Sequence, residues 1–167
     1  MSAKISHGVN KRTKANDVFI TPLDLAKKQI DMIESEEDDI WFDPFKNTGN
    51  YYNQYPTDKK VWCEILYDRD FFEFNGECDI ICSNPPYSLM TEIIAKCIEL
   101  RPRVISFLLG MMNLTPKRIE DFNKAGYGIT KLRFLRVHQW YGNSFIVQLE
   151  LDKENVIDID RKVYHLE

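Results

Sequence analysis

The sequence predicts an α/β fold: a mostly parallel seven-stranded sheet with an antiparallel edge hairpin and helices on both faces. Three observations predict it. Short β-branched and aromatic runs alternate with stretches of helical period, the pattern that builds a parallel sheet with crossover helices. Two early runs, Ile40-Trp41-Phe42-Asp43 and Lys60-Val61-Trp62-Cys63-Glu64, each end in an acid, and the two acids lie about twenty residues apart, as in nucleotide-binding sheets. The last two runs, Ile129 to Phe134 and Ser144 to Leu149, flank His138-Gln139-Trp140-Tyr141-Gly142-Asn143 as hairpin arms would.

With 167 residues, 44% of them hydrophobic, the chain suits one domain with a sizeable core. Residues 1–16 read as a flexible basic arm (Lys4, Lys11, Arg12 and Lys14 with no acid), and 17–167 as a single domain. No apolar run approaches the roughly 20 residues of a membrane span. The start also lacks the apolar segment of a signal peptide, so the expected location is cytoplasmic. Cys63, Cys78, Cys82 and Cys97 show no C-x-x-C pairing, which predicts buried thiols and no metal site. Net charge is –4, yet a late basic group, Lys117, Arg118, Lys124, Lys131, Arg133 and Arg136, offers a local patch for a polyanion.

Taken in order, Thr21 reads as a helix N-cap, Pro22 as the first helical residue and Asp24 as the partner in a capping box. Leu23, Ala26, Ile30 and Ile33 then share one helical face. Asp43 closes a buried strand before the turn Pro44-Phe45-Lys46-Asn47-Thr48-Gly49-Asn50. Asn47 tolerates positive φ there, and Gly49 permits close backbone approach. A short helical piece follows through Tyr51 and Tyr52, stopped by Pro56. Glu64 ends the second strand, and Asp68 or Asp70 is a third acid near the expected crevice, with Asp70 ahead because Phe71-Phe72 can wall an adenine. Ser88 is the expected cap of a helix running to about Leu100, Val104 to Leu109 a buried strand, and Thr115-Pro116 the start of a helix closing at Gly126. Val156 to Ile159 could add a last edge strand.

Between them lies the most informative stretch, Ile80-Ile81-Cys82-Ser83-Asn84-Pro85-Pro86-Tyr87. Two prolines cannot continue a sheet ladder and hold their predecessors extended, so the strand ends in a stiff turn. The Asn84 amide oxygen and the Pro85 carbonyl are convergent acceptors suited to an exocyclic –NH2, with Tyr87 placed to stack on the ring that carries it.

Over residues 17–150 the chain resembles S-adenosylmethionine-dependent amino-methyltransferases, in particular adenine-N6 DNA methyltransferases. Asn84-Pro85-Pro86-Tyr87 is similar to their catalytic tetrad, Asp43-Pro44-Phe45-Lys46-Asn47-Thr48-Gly49 to their cofactor loop, and Phe19-Ile20-Thr21-Pro22 to their leading F-x-T-P segment. The resemblance implies a Rossmann-like class I methyltransferase fold and S-adenosyl-L-methionine as cofactor. Asp43, Pro44, Phe45, Asn47, Gly49, Phe19 and Thr21 would hold its amino-acid end. Glu64 would bind the ribose, Asp70 the adenine amine and Phe71 the adenine ring. Asn84, Pro85, Pro86 and Tyr87 would be catalytic on a base flipped from DNA. Lys11, Arg12, Lys14, Lys117, Arg118 and Arg136 are the residues expected to meet nucleic acid.

Two features depart from that pattern. Asn47 stands where the family has the loop's first glycine, and no separate target-recognition domain follows the core. Base reading then falls to residues 1–16, the 111–128 loop-helix and the 136–143 hairpin, or to a second subunit or second copy. RNA bases and protein glutamine present the same planar amine and remain alternative substrates, and a non-catalytic subunit is the reading from a different class.

Overall fold

The structure, a computed structural model, describes residues 19–137 and 142–165. Six strands form one sheet: β1 (Trp41–Asp43), β2 (Lys60–Trp62), β3 (Ile80–Ser83), β4 (Val104–Gly110), β5 (Tyr127–Leu135) and β6 (Ser144–Leu151). Their order is β2-β1-β3-β4-β6-β5. The first four run parallel, with Trp41 opposite Lys60 and Ile80, and Ile80 opposite Val104. β6 inserts antiparallel between β4 and β5, pairing Gly110 with Ser144 and Leu135 with Ser144. The mostly parallel sheet with an antiparallel hairpin edge is therefore as the sequence predicts.

Side-chain alternation along each strand divides the core. Trp41, Ile80, Cys82 and Val104 pack with Ala26 and Ile30 of α1 (Leu23–Ile30), together with Tyr51 and Tyr55. Phe42, Ile81, Ile105 and Phe107 pack with Ile93, Ile94 and Cys97 of α2 (Met90–Leu100) and Ile119 and Phe122 of α3 (Pro116–Lys124). Each such fully buried aliphatic side chain contributes roughly 1.5–3 kcal/mol relative to exposure. The carboxyl ends of β1, β3 and β4 thus open on one edge of a rigid, two-faced core.

Several expectations need correction. The sheet has six strands among the described residues, not seven. After Glu64 the chain makes two short 3-10 turns, Ile65–Tyr67 and Phe71–Glu73. The tail beyond β6, where Val156 to Ile159 is the expected last strand, forms none. Val156 N–H reaches Ile129 O at 2.8 Å, but the neighbouring ladder donor, Ile129 N–H, is taken by the Asn155 side chain at 2.8 Å. The capping box at α1 is absent: Pro22 is the cap residue and no side chain caps the helix. Leu23 is 58% exposed rather than on the buried face. Ser88 lies inside a 3-10 turn (Tyr87–Leu89), so α2 starts from Leu89. Thr115, by contrast, caps α3 as expected, accepting from Arg118 N–H, and Gly126 ends the segment with φ 93°.

All four cysteines are buried free thiols, and no metal-binding cluster occurs among the described residues. No helix there is long and apolar enough to cross a membrane.

Candidate active site

Asp43 ends β1 with its side chain 0% exposed. Its Oδ1 accepts from the Ser83 hydroxyl at 2.7 Å and from Phe45 N–H at 3.3 Å, whereas Oδ2 is buried with no hydrogen-bond partner. Burial drives this carboxyl up to about 7, opposed by the Ser83 hydroxyl and by the amides of Phe45 and Tyr52 and reinforced by the nearby Glu64 charge.

The loop after Asp43 turns as its sequence allows. Asn47 takes φ 46° and Gly49 φ 88°, so asparagine fills the left-handed position usually left to glycine. A Cβ on Gly49 would be strained at this φ and would lie 2.9 Å from Asn53 Nδ2, so that side chain would also have to shift. Glu64, buried at the end of the β2 segment, holds this loop: its Oε2 accepts from Asn47 N–H at 2.8 Å and its Oε1 from Leu66 N–H at 3.4 Å.

Asn84 follows β3 directly. Its Nδ2 donates to Thr21 Oγ1 at 3.2 Å, and its Oδ1 is buried without a partner. This explains the missing helix cap, because the Thr21 hydroxyl is committed to Asn84 instead. The leading segment is tied down a second time by Asn50 Nδ2, which donates to Thr21 O at 2.7 Å. Phe19, Thr21, Phe45, Asn47, Asn84 and Pro86 consequently line one narrow cleft. Pro44 and Pro85 are buried beside it. Tyr87, half-buried one residue on, points its hydroxyl at Leu108 O (3.4 Å). Its ring lies so near Gly110 that a Cβ there would sit 3.5 Å from Cε2.

Asp70 caps the turn beyond β2, accepting from Phe72 N–H at 2.9 Å. Phe71 does not offer an open face to a flat ligand. It is 3% exposed, edge-on to Phe45 at 5.2 Å and near Phe42, and the ring left partly outside at this turn is Phe72. A 3-10 turn sends adjacent side chains in different directions, so only one of the two aromatics joins the core.

Sequence reasoning missed Gln29, whose signal was a polar residue on the apolar face of α1. Its Nε2 donates to Ser106 O (3.0 Å), Ser106 Oγ (3.1 Å) and Ser83 O (3.4 Å), while its Oε1 accepts from Tyr51 OH at 2.7 Å. One buried amide thereby joins α1, the chain after the cofactor-like loop, the end of β3 and the interior of β4. Such a network is strong only when fully satisfied, as this one is at Gln29.

The expected nucleic-acid contacts separate. Lys117 pairs with Asp121, and Arg118 Nη1 donates to Asn113 O at 2.7 Å, so these cations are engaged on their own helix and loop. Arg136 is exposed after β5, as is Arg133 within it, and neither has an ion-pair partner among the described residues. Lys11, Arg12, Lys14, Trp140 and Tyr141 lie outside the described residues.

No protein-family model and no curated protein matches the chain. Solved structures do. Precorrin-6y C5,15-methyltransferase from Geobacter metallireducens aligns with a TM-score of 0.59 at 12% identity, over 82% of this chain and 92% of that one. A candidate RNA methyltransferase from Pyrococcus horikoshii gives 0.58 at 14%, over 90% and 98%. Magnesium protoporphyrin IX methyltransferase from Synechocystis, solved with bound SAM, gives 0.59 at 9%, over 77% of each chain. At these identities the likeness is one of architecture: the chain has the Rossmann-like fold of these methyltransferases.

Proposed function

We propose that the chain is an S-adenosylmethionine-dependent methyltransferase acting on the N6 amine of adenine in DNA. One observation carries this reading. Two acceptor oxygens, Asp43 Oδ2 and Asn84 Oδ1, are buried without partners on adjacent strand ends. An unpaired buried acceptor costs about 1–3 kcal/mol, so two on neighbouring strand ends mark places for donors that arrive with ligands. Asp43 suits a cationic amino group, as at the methionine end of the cofactor. Asn84 suits an exocyclic –NH2.

S-adenosylmethionine supplies an electrophilic methyl on a sulfonium. The chain supplies position: the Asn47–Gly49 turn and Glu64 shape the cofactor side, and Asn84 with the Pro85 carbonyl would accept from the target amine and orient its nitrogen lone pair. Tyr87 would stack on the base, which must leave the duplex because a paired amine is hydrogen-bonded and hidden in the stack. Most of the rate enhancement would be positioning and electrostatics. The Asn-Pro-Pro-Tyr resemblance favours adenine in DNA. The structural likeness to a candidate RNA methyltransferase favours a second reading, the same chemistry on an RNA base.

Calorimetric titration with S-adenosylmethionine, for wild type and Asp43→Ala, tests the cofactor half. Radiolabelled methyl transfer to duplex DNA, single-stranded DNA and RNA tests the substrate half. Binding lost in Asp43→Ala and label in the adenine N6 of DNA is the expected result. Label in RNA alone would replace the DNA reading, and absence of cofactor binding would remove both.

A further inference from the structure

Ser83 lies between the two halves of the site, and the chemistry above gives it no task. It is the last residue of β3 and fully buried. Its hydroxyl donates to Asp43 Oδ1 at 2.7 Å, its carbonyl receives Gln29 Nε2 at 3.4 Å, and its peptide bond leads directly into Asn84. We propose that Ser83 is a positioning residue, which pins one oxygen of Asp43 so that the other faces the cofactor, and which holds that acid in register with Asn84. The inference rests on the cofactor reading above.

The surroundings show why a hydroxyl is needed. Facing Asp43 are Glu64 and Cys63 from the end of the β2 segment, Tyr51 and Tyr55 from the chain after the loop, and Cys82 from β3. Burial holds the two tyrosines and both thiols neutral, and the Glu64 charge disfavours a second carboxylate beside it. Among the described residues, the main influences favouring its ionised form are hydrogen-bond donors. The ionised form that would attract a cationic ligand depends on them, and of these the Ser83 hydroxyl makes the shortest hydrogen bond; the Phe45 amide, at 3.3 Å, makes a longer one. Without Ser83 the carboxylate loses its firmest anchor, can turn its free oxygen away, and keeps its proton to higher pH.

The test is the S-adenosylmethionine affinity of the full chain measured from about pH 5.5 to about 8.5, for wild type, Ser83→Ala and Ser83→Thr. Wild-type binding is expected to strengthen as pH rises through about 7. Ser83→Ala is expected to bind about tenfold more weakly near neutrality, with the midpoint of its pH profile displaced upward, by loss of one charge-assisted hydrogen bond. Ser83→Thr, which keeps the hydroxyl, restores the wild-type midpoint. Should thermal unfolding show that Ser83→Ala does not fold, Ser83→Cys, nearly isosteric but a feeble donor, is expected to show the same displacement. An unchanged affinity and midpoint in the hydroxyl-free variant overturns the positioning role alone. A wild type that binds no cofactor at any pH overturns the cofactor reading, and this inference with it.

Discussion

The carboxyl ends of β1 and β3 and the carboxyl end of β4 lie side by side but are built differently. Around Asp43, Ser83 and Asn84 nearly every polar atom is partnered, and the two left over, Asp43 Oδ2 and Asn84 Oδ1, are buried on neighbouring strand ends. Around β4 and the hairpin the surface is apolar and cationic. Met112 is 88% exposed, Met111 and Phe134 are also exposed, and Arg133 and Arg136 are exposed on or just after β5. The first region is preorganised for a small molecule whose donors complete it. The second, on the proposed function, would be the surface that meets a large polyanion, and that partner would have to supply the order. Preorganisation belongs where a methyl must be aimed, and adaptable methionine where a varied surface must be met.

The sharpest way to break this contrast is Asn84→Ala. It removes the acceptor without touching Asp43, so methyl transfer should fall by about 10²–10³-fold, the usual loss for one preorganised hydrogen-bonding group. Cofactor affinity measured by calorimetry should stay within a few-fold of wild type. Equal loss of binding and rate would mean the two halves of the cleft are not separable.

Gln29→Leu attacks the support behind the cleft. It leaves Tyr51 OH and the Ser106 hydroxyl without their buried partner, which should destabilise the fold by roughly 2–4 kcal/mol, read as a lower urea midpoint at unchanged slope. A loss below about 0.5 kcal/mol would show that the network is not structural.

Much of the first region was legible because its physics is local. Two prolines after a β-branched run stop a strand whatever surrounds it, an acid closes the buried first strand, and Asn47 reaches positive φ with little strain. Decisions taken by packing were not legible. Phe71 and Phe72 are equivalent in sequence, and only the turn geometry sends the first inward. Thr21 has every local reason to cap α1, yet a tertiary bond to Asn84 claims its hydroxyl. Lys117 and Arg118 looked like a patch until the helix supplied Asp121 and the loop supplied Asn113 O. The absent seventh strand, expected over Val156 to Ile159, likewise depends on packing, because the Asn155 side chain takes the Ile129 N–H that a ladder would need.

Asp43→Asn separates stability from function within the first region. The folded carboxyl is raised to about 7 against an ordinary value near 3.8, so the folded state holds an extra proton between those values. Stability from this group is therefore full below about pH 4 and is lost as pH rises to about 7. Replacing the acid should stabilise the unliganded chain at pH 8 by on the order of 2 kcal/mol, flatten the dependence of the melting temperature on pH, and abolish cofactor binding. A variant less stable than wild type at pH 8 would show that Asp43 is ionised in the folded chain at little cost.

The smallest expected effect probes the second region. Met112→Ala combined with Arg133→Ala removes one exposed apolar side chain and one cation without a partner among the described residues. Neither residue touches the polar network of the first region, so melting temperature and cofactor affinity should not move. Duplex DNA affinity should fall by about three- to tenfold, and the slope of log affinity against log salt should decrease by about one, the value for one lost phosphate contact. The two changes are then told apart by salt: the arginine contribution fades as ionic strength rises, whereas the methionine contribution, being apolar contact, persists. Apolar side chains can also wedge between base steps, so the Met112 share should shrink on single-stranded DNA, where no stack has to be opened. Equal loss on both substrates would make Met112 part of a general contact surface, and no loss on either would move nucleic-acid binding away from the β4 end of the sheet.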